Sequence, residues 1–262
     1  LLNAIVGKDE RDLTSAEKEA EDFTRLIGKD IKDMKVAVPN YFMSDIVNEE
    51  VKNAIKNTIE ILKNAGATVD YVDMKYLDQA VTLYQVIALG EASSNLARFD
   101  GIRYGFSKEN PESIKDVYFK TRQEGFGTEV KRRIMVGAHI LSGENAKIYY
   151  NKAMAVRAAM RQEFKRIYKD YDLIIGPTAT TTAYNQTDSL DDPLKSFLDD
   201  VLVNPANMSG LPGLNVPVGF DNDHMPIGMH IIGNDFDEAT IYKLASFVEK
   251  ELNLDLTPGG EK

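Results

Sequence analysis

No cysteine occurs among the 262 residues, which excludes disulfides, thiolate metal sites and a cysteine nucleophile within the chain. That absence suits a cytoplasmic protein. No apolar run approaches the roughly eighteen residues that a membrane span needs, so no membrane partner is expected. The opening stretch Leu1–Gly7 is apolar but short, and acidic and basic residues follow it without a basic flank before it. It does not read as a signal peptide. It reads as the last turns of a helix closed by Gly7 at a C-cap position, with the start of that helix expected before Leu1.

Other absences narrow the chemistry. Basic residues are in the minority: 31 Lys and Arg against 41 Asp and Glu give a formal net charge of −10. A surface this acidic repels nucleic acid and anionic lipid unless a local basic patch overrides it. There is no HExxH, no His/Cys/Asp cluster and no EF-hand loop, so no metal site is expected. Neither a G-x-S-x-G elbow nor a P-loop is present, and the single Gly-Gly pair, Gly259-Gly260, lies in the tail. Three histidines occur, His139, His224 and His230. His224 sits in a polar turn, and His230 lies in a strand pattern where a packed or surface imidazole is the ordinary reading.

What remains is the pattern of a folded α/β chain long enough to bury a sizeable core. Residues 8–34 are charge-rich and read as a connecting segment in which Thr14 or Ser15 caps a short helix. Met34–Pro39 is a short apolar run stopped by proline, hence a strand. Val51, Ile55, Ile59 and Leu62 form one stripe of a helix from about 48 to 65, ended by Gly66. Thr68–Asp73 then alternates as a strand, so this stretch has β-α-β order. Helices are expected over 76–98, once or twice within 112–141, and over 144–170 as the longest. Asp172–Pro177 reads as a buried strand. A polar loop over 178–192, a short helix over 193–203 and a turn-rich passage over 205–213 follow. Two strands around an Asp221–Asp223 turn come next, and Asp235 is placed to cap a last helix with Glu238 as a capping box. The expected class is α/β, a mixed β-sheet flanked by helices.

Local phrases carry more than this generic chemistry. Glu91-Ala92-Ser93-Ser94-Asn95-Leu96-Ala97-Arg98-Phe99-Asp100-Gly101 runs on to Ile102-Arg103-Tyr104-Gly105. Glu124-Gly125-Phe126-Gly127 and Glu129-Val130-Lys131-Arg132-Arg133-Ile134 follow. Gly176-Pro177-Thr178-Ala179, Asn204-Pro205-Ala206-Asn207-Met208-Ser209-Gly210-Leu211-Pro212-Gly213, Pro226–Gly233 and Phe236-Asp237-Glu238-Ala239-Thr240 complete the set. Singly these are weak; their joint order resembles the C-terminal half of amidase-signature proteins, over nearly the whole chain from Leu1 to about Leu252. The first three phrases are similar to the A-subunit group of the glutamyl-tRNA(Gln)/aspartyl-tRNA(Asn) amidotransferases.

The resemblance implies a partial amidase-signature fold, with 1–34 a connecting segment, 35–254 the C-terminal part of the amidase domain and 255–262 a disordered tail. It implies a parent enzyme that hydrolyses glutamine and supplies ammonia for converting Glu-tRNA(Gln) to Gln-tRNA(Gln). Its partners would be the B and C subunits, with ATP, Mg²⁺ and most tRNA contacts belonging to B. A stand-alone amidase acting on another carboxamide is the alternative. The family's chemistry uses a Ser nucleophile, a second Ser in a cis peptide and a Lys, with the two serines in a Gly/Ser-rich loop. No segment here matches it: Ser93-Ser94 lies in an expected helix without flanking glycines and reads as helix packing. The catalytic segment is therefore expected upstream of Leu1, no catalytic residue and no cofactor site is assigned to this chain, and these residues alone are expected to be inactive.

Also by resemblance, Tyr84, Arg133 and Asp200 match positions that hold glutamine. The residue types fit a zwitterion, since a guanidinium pairs with an α-carboxylate and a carboxylate takes an α-ammonium. Arg132 and Asp199 stand beside them as open alternatives. Without the resemblance, Lys131-Arg132-Arg133 would read as a solvated helix face and Tyr84 as core. Thr178, Thr180, Thr181 and the 207–213 turn are expected to line the same cleft, with polar contacts that stabilise their own loops as the equal alternative.

Overall fold

The computed structural model describes residues 1–184 and 199–257. Two compact units emerge: Leu1–Asp78 with Arg161–Lys262, built on a sheet, and Gln79–Met160, built of helices.

The sheet unit has five strands, β1 (Lys35–Pro39), β2 (Thr68–Val72), β3 (Leu173–Pro177), β4 (Gly213–Phe220) and β5 (Pro226–Gly233), in the order β2-β1-β3-β5-β4. β1 is parallel to β2 and β3; β5 is antiparallel to β3 and β4, so the sheet is mixed. The continuous apolar runs of β1 and β3 mark central strands, and Val36, Ala37, Val38 and Leu173–Ile175 are fully buried. Between β1 and β2 runs helix α2 (Glu49–Asn64); a four-residue α1 (Leu2–Ile5) opens the chain. The Asn48 side chain accepts the Glu50 N–H to start α2, with Glu49 and Glu50 favourable beside the positive helix end. Its stripe Val51, Ile55, Ile59 and Leu62 is buried, each side chain contributing roughly 1.5–3 kcal/mol. β4 and β5 form a hairpin whose turn is held by Asp221, accepting from the N–H groups of Asp223 and Met225. On one face Val216, Val218, Ile227, Met229 and Ile231 are buried beneath α2 and the last helix. The other face carries Thr178, Asn215, Gly228 and His230.

Three expectations are corrected here. Residues 8–34 form turns rather than a capped helix; the Ser15 hydroxyl instead accepts the Asp9 N–H. The passage expected as turns contains helix α7 (Asn204–Ser209), with Pro205 in its first turn and Gly210 closing it at φ +65°. The last helix, α8 (Glu238–Leu252), has Asp237 at its N-cap position, not Asp235. Asp235 accepts two bonds from Arg161, at 2.9 and 3.0 Å, so the capping box with Glu238 does not form. Residues 185–192 of the expected loop, 193–198 of the expected short helix and 258–262 of the tail lie outside the described residues; 201–203 are turn.

The helical unit holds α3 (Ala80–Leu96), α4 (Ile114–Gly125), α5 (Thr128–Leu141) and α6 (Asn151–Ile167) as far as Met160. The stretch 112–141 thus resolves into two helices, with Ser113 capping α4 by accepting the Asp116 N–H. The long helix begins as a wider π turn over Ala146–Tyr150. Ser93 and Ser94 lie within α3. Among the described residues, no helix is long and apolar enough to cross a membrane.

Candidate functional site

The helical unit is organised by a close crossing of α3 and α5. A Cβ at Gly137 of α5 would overlap the Leu89 carbonyl of α3 and stand 2.7 Å from the Ser93 Cβ. Glycine lets the two backbones touch. Within about two turns of that contact, α3 presents Tyr84, Gln85, Ala88 and Leu89, and α5 presents Arg132 and Arg133; together these line one recess. Tyr84 is half-buried at its wall rather than in the core. The structure therefore brings together two of the three residues singled out in the sequence.

Glu129, in the first turn of α5, organises the two arginines. Its Oε2 accepts Arg132 Nε at 2.7 Å, and its Oε1 accepts both Arg132 Nη2 and Arg133 Nε, each at 2.8 Å. Spacings of three and four residues put all three side chains on one helix face. These bonds, that from Arg132 first, pull the Glu129 carboxyl down to about 2, so it is ionised throughout the physiological range. Arg132 commits the Nε/Nη2 edge of its guanidinium to Glu129. Arg133 commits only its Nε–H, and among the described residues both of its Nη groups are without a protein partner. Both arginines and Glu129 are half-exposed, so a small anion can reach them.

Asp200 belongs to the sheet unit and is exposed. Its neighbour Asp199 accepts the Tyr184 hydroxyl at 2.6 Å, and this bond holds the phenol above its usual range. Among the described residues no hydrogen bond or ion pair reaches the Asp200 carboxylate. Ala179, Thr181, Thr182, Ala183, Tyr184 and Asp199 line a second, open recess. Thr178 turns elsewhere, donating its hydroxyl to the Asn215 side chain, and Thr180 is buried, its carbonyl accepting the Asn48 N–H. Sequence reasoning missed Glu129 and Tyr184. The i+3 and i+4 spacing of Glu129 to two arginines was visible; the Tyr184–Asp199 contact, across fifteen residues, was not.

His230 lies on β5 with its Nδ1 buried and unpaired, and burial pushes its imidazole down to about 4. A Cβ at Gly213 would stand 2.5 Å from its Nε2, so the glycine makes room for the ring. It is a packed histidine. No group of three or more His, Cys, Asp or Glu arranged for a metal ion occurs among the described residues.

The amidase family model matches residues 1–242. The glutamyl-tRNA(Gln) amidotransferase A-subunit of Pediococcus pentosaceus is 48% identical over 249 residues, covering 95% of this chain and 51% of that protein. That of Staphylococcus haemolyticus is 46% identical over 254 residues, covering 97% and 52%. This chain thus spans about half the length of these relatives. The crystal structure of the glutamyl-tRNA(Gln) amidotransferase A-subunit from Thermotoga maritima superposes with a TM-score of 0.72 at 33% identity, over 93% of this chain and 48% of that one. A bacterial aryl acylamidase of the amidase-signature family, at TM-score 0.71 and 20% identity over 95% and 49%, shares the fold. The mixed five-stranded sheet, the order of the sequence phrases and these matches agree: the chain belongs to the amidase-signature family.

Proposed function

We propose that this chain is the substrate-holding part of the glutamine-hydrolysing A-subunit of a tRNA-dependent amidotransferase. The observation that carries the reading is the Tyr84–Arg133 recess. Among the described residues, the four N–H donors on the Nη groups of Arg133 face no protein acceptor, and a planar carboxylate matches that fork in bidentate fashion. Tyr84 lines the same recess, a residue with an apolar ring and a hydroxyl to offer a bound ligand. Asp200 takes the α-ammonium in this reading; its support is the family match and a carboxylate that Tyr184 does not engage. Glutamine carries both charges, whereas a simple apolar amide needs neither receptor.

In the complete protein, the Ser–cis-Ser–Lys machinery of the family would open the side-chain amide through an acyl-enzyme. Ammonia would then pass to a partner protein that activates Glu-tRNA(Gln) with ATP and Mg²⁺. The B and C subunits are the proposed partners, with tRNA held mainly by B, in keeping with the net charge of −10 here. This chain holds glutamine and does not itself cleave it.

The test is steady-state glutamine hydrolysis by the complete protein within its complex. Arg133→Ala is expected to raise the glutamine KM roughly thirtyfold, about 2 kcal/mol for a lost charge-assisted pair, with Asp200→Asn acting in the same direction. Unchanged KM in both variants defeats the reading. Glutamine turnover by the 262 residues alone would show that a nucleophile lies within them.

A further inference from the structure

Two neighbouring arginines on an exposed helix face repel each other, and each has several rotamers that lead into solvent. Here a single carboxylate resolves both problems. Glu129 receives three N–H bonds of 2.7–2.8 Å, two from Arg132 and one from Arg133. The division is unequal in a chemically meaningful way. Arg132 meets Glu129 side-on through Nε and Nη2, the geometry of a closed bidentate pair. Arg133 meets it through Nε, which anchors the root of the guanidinium; among the described residues both Nη groups are left without a protein partner, and Arg133 lines the recess together with Tyr84. The charge of the trio is +1, so one anion neutralises it.

We infer that Glu129 is a positioning residue: bridged to Arg132, it holds Arg133 by Nε so that the Nη fork is presented to an incoming carboxylate. This rests on the reading of the recess as the receptor for the α-carboxylate of glutamine. It also assigns the neighbours different work, Arg133 as receptor and Arg132 as the counter-ion that keeps Glu129 in place. Glu129 and Arg133 are about half-exposed, and a pair of that kind restrains a side chain by well under a factor of ten. The effect is therefore one of affinity and modest. Nothing in the arrangement touches the reacting amide, so kcat is unaffected.

The experiment is glutamine hydrolysis by the complete protein in its complex, with KM and kcat resolved for Glu129→Ala, Glu129→Asp, Arg132→Ala and Arg133→Ala. Glu129→Ala is expected to raise KM about threefold with kcat unchanged, an effect that added salt reduces in the wild type by screening the same pair. Glu129→Asp is expected to recover part of the loss, Arg132→Ala to raise KM by less than Glu129→Ala, and Arg133→Ala to raise it most. If Arg133→Ala raises KM but Glu129→Ala leaves it unchanged, Glu129 is a surface partner only and the inference fails while the recess stands. A fall in KM for Glu129→Ala means that Glu129 competes with the substrate, which also overturns it. A large effect of Arg132→Ala beside a small one of Arg133→Ala reverses the assignment. If Arg133→Ala changes nothing, the recess is not the receptor, and both readings fall together.

Discussion

The two units of this chain differ in the sign of their charge. By sequence, residues 79–160 carry 12 Lys and Arg against 8 Asp and Glu, a net of +4; the remainder carries 19 against 33, a net of −14. An average of −10 conceals this. The expectation that an acidic surface repels nucleic acid and anionic lipid unless a local basic patch overrides it rests on that average, and by charge count the helical unit has the opposite sign. The proposed receptor for a carboxylate lies in the basic unit, whose background potential favours that assignment.

The units also differ in how they are built. The sheet unit rests on apolar strands buried by α2 and α8, while the helical unit depends on a backbone contact that one glycine permits. Gly137→Val puts side-chain atoms into the Leu89 carbonyl and is expected to cost about 3 kcal/mol, mostly overpacking. Chemical denaturation of the complete protein, followed by amide exchange in both units, checks this. The helical unit is expected to lose protection first; equal loss in both units breaks the contrast.

The next prediction concerns the sheet unit. The unfolded chain protonates His230 near 6.5, whereas the folded chain does so only at about 4. Between those values the unfolded state binds more protons, so stability falls as pH drops through this window and the loss levels off below about 4. His230→Leu removes this component, on the order of 2 kcal/mol between roughly pH 7 and pH 4. Urea midpoints of wild type and variant at both pH values measure it as a difference, in which the common carboxylate titration cancels. Equal pH slopes would show that the ring is solvated.

The smallest effect is expected at the start of α2. Asn48→Ala removes the side-chain acceptor for the Glu50 N–H and is expected to cost about 1 kcal/mol, without loss of glutamine affinity. Thermal denaturation with a glutamine KM measurement checks both halves.

Local patterns in the sequence revealed most of the sheet unit, because β1, β3 and α2 state their burial in their own residues. Where the reading failed, a distant partner or a mistaken boundary intervened. Asp235 has the type and place of a cap, but Arg161, 74 residues away, takes its carboxylate. Pro205 and Gly210 read as turn residues, yet they stand at the two ends of a six-residue helix, where both belong. The candidate site was legible to the level of residue type. Glu129 stands three residues from one arginine and four from the other, and both spacings favour pairing, so sequence alone does not choose between Arg132 and Arg133. In the structure Arg132 pairs with Glu129 through Nε and Nη2 and Arg133 through Nε, and this difference is what supports proposing Arg133 as the receptor. For Asp199 and Asp200 the structure adds one distinction, that the Tyr184 hydroxyl reaches Asp199, and the proposal of Asp200 leans on it.

The most direct test of the Arg133 fork is the preference of the complete enzyme for glutamine over glutamine α-amide, in which a neutral carboxamide replaces the α-carboxylate. The ratio of kcat/KM values for the two is expected to be large in the wild type and to collapse roughly tenfold or more in Arg133→Ala, because the variant has lost the group that distinguishes them. A ratio that survives the substitution would contradict the assignment, placing carboxylate recognition elsewhere in the protein.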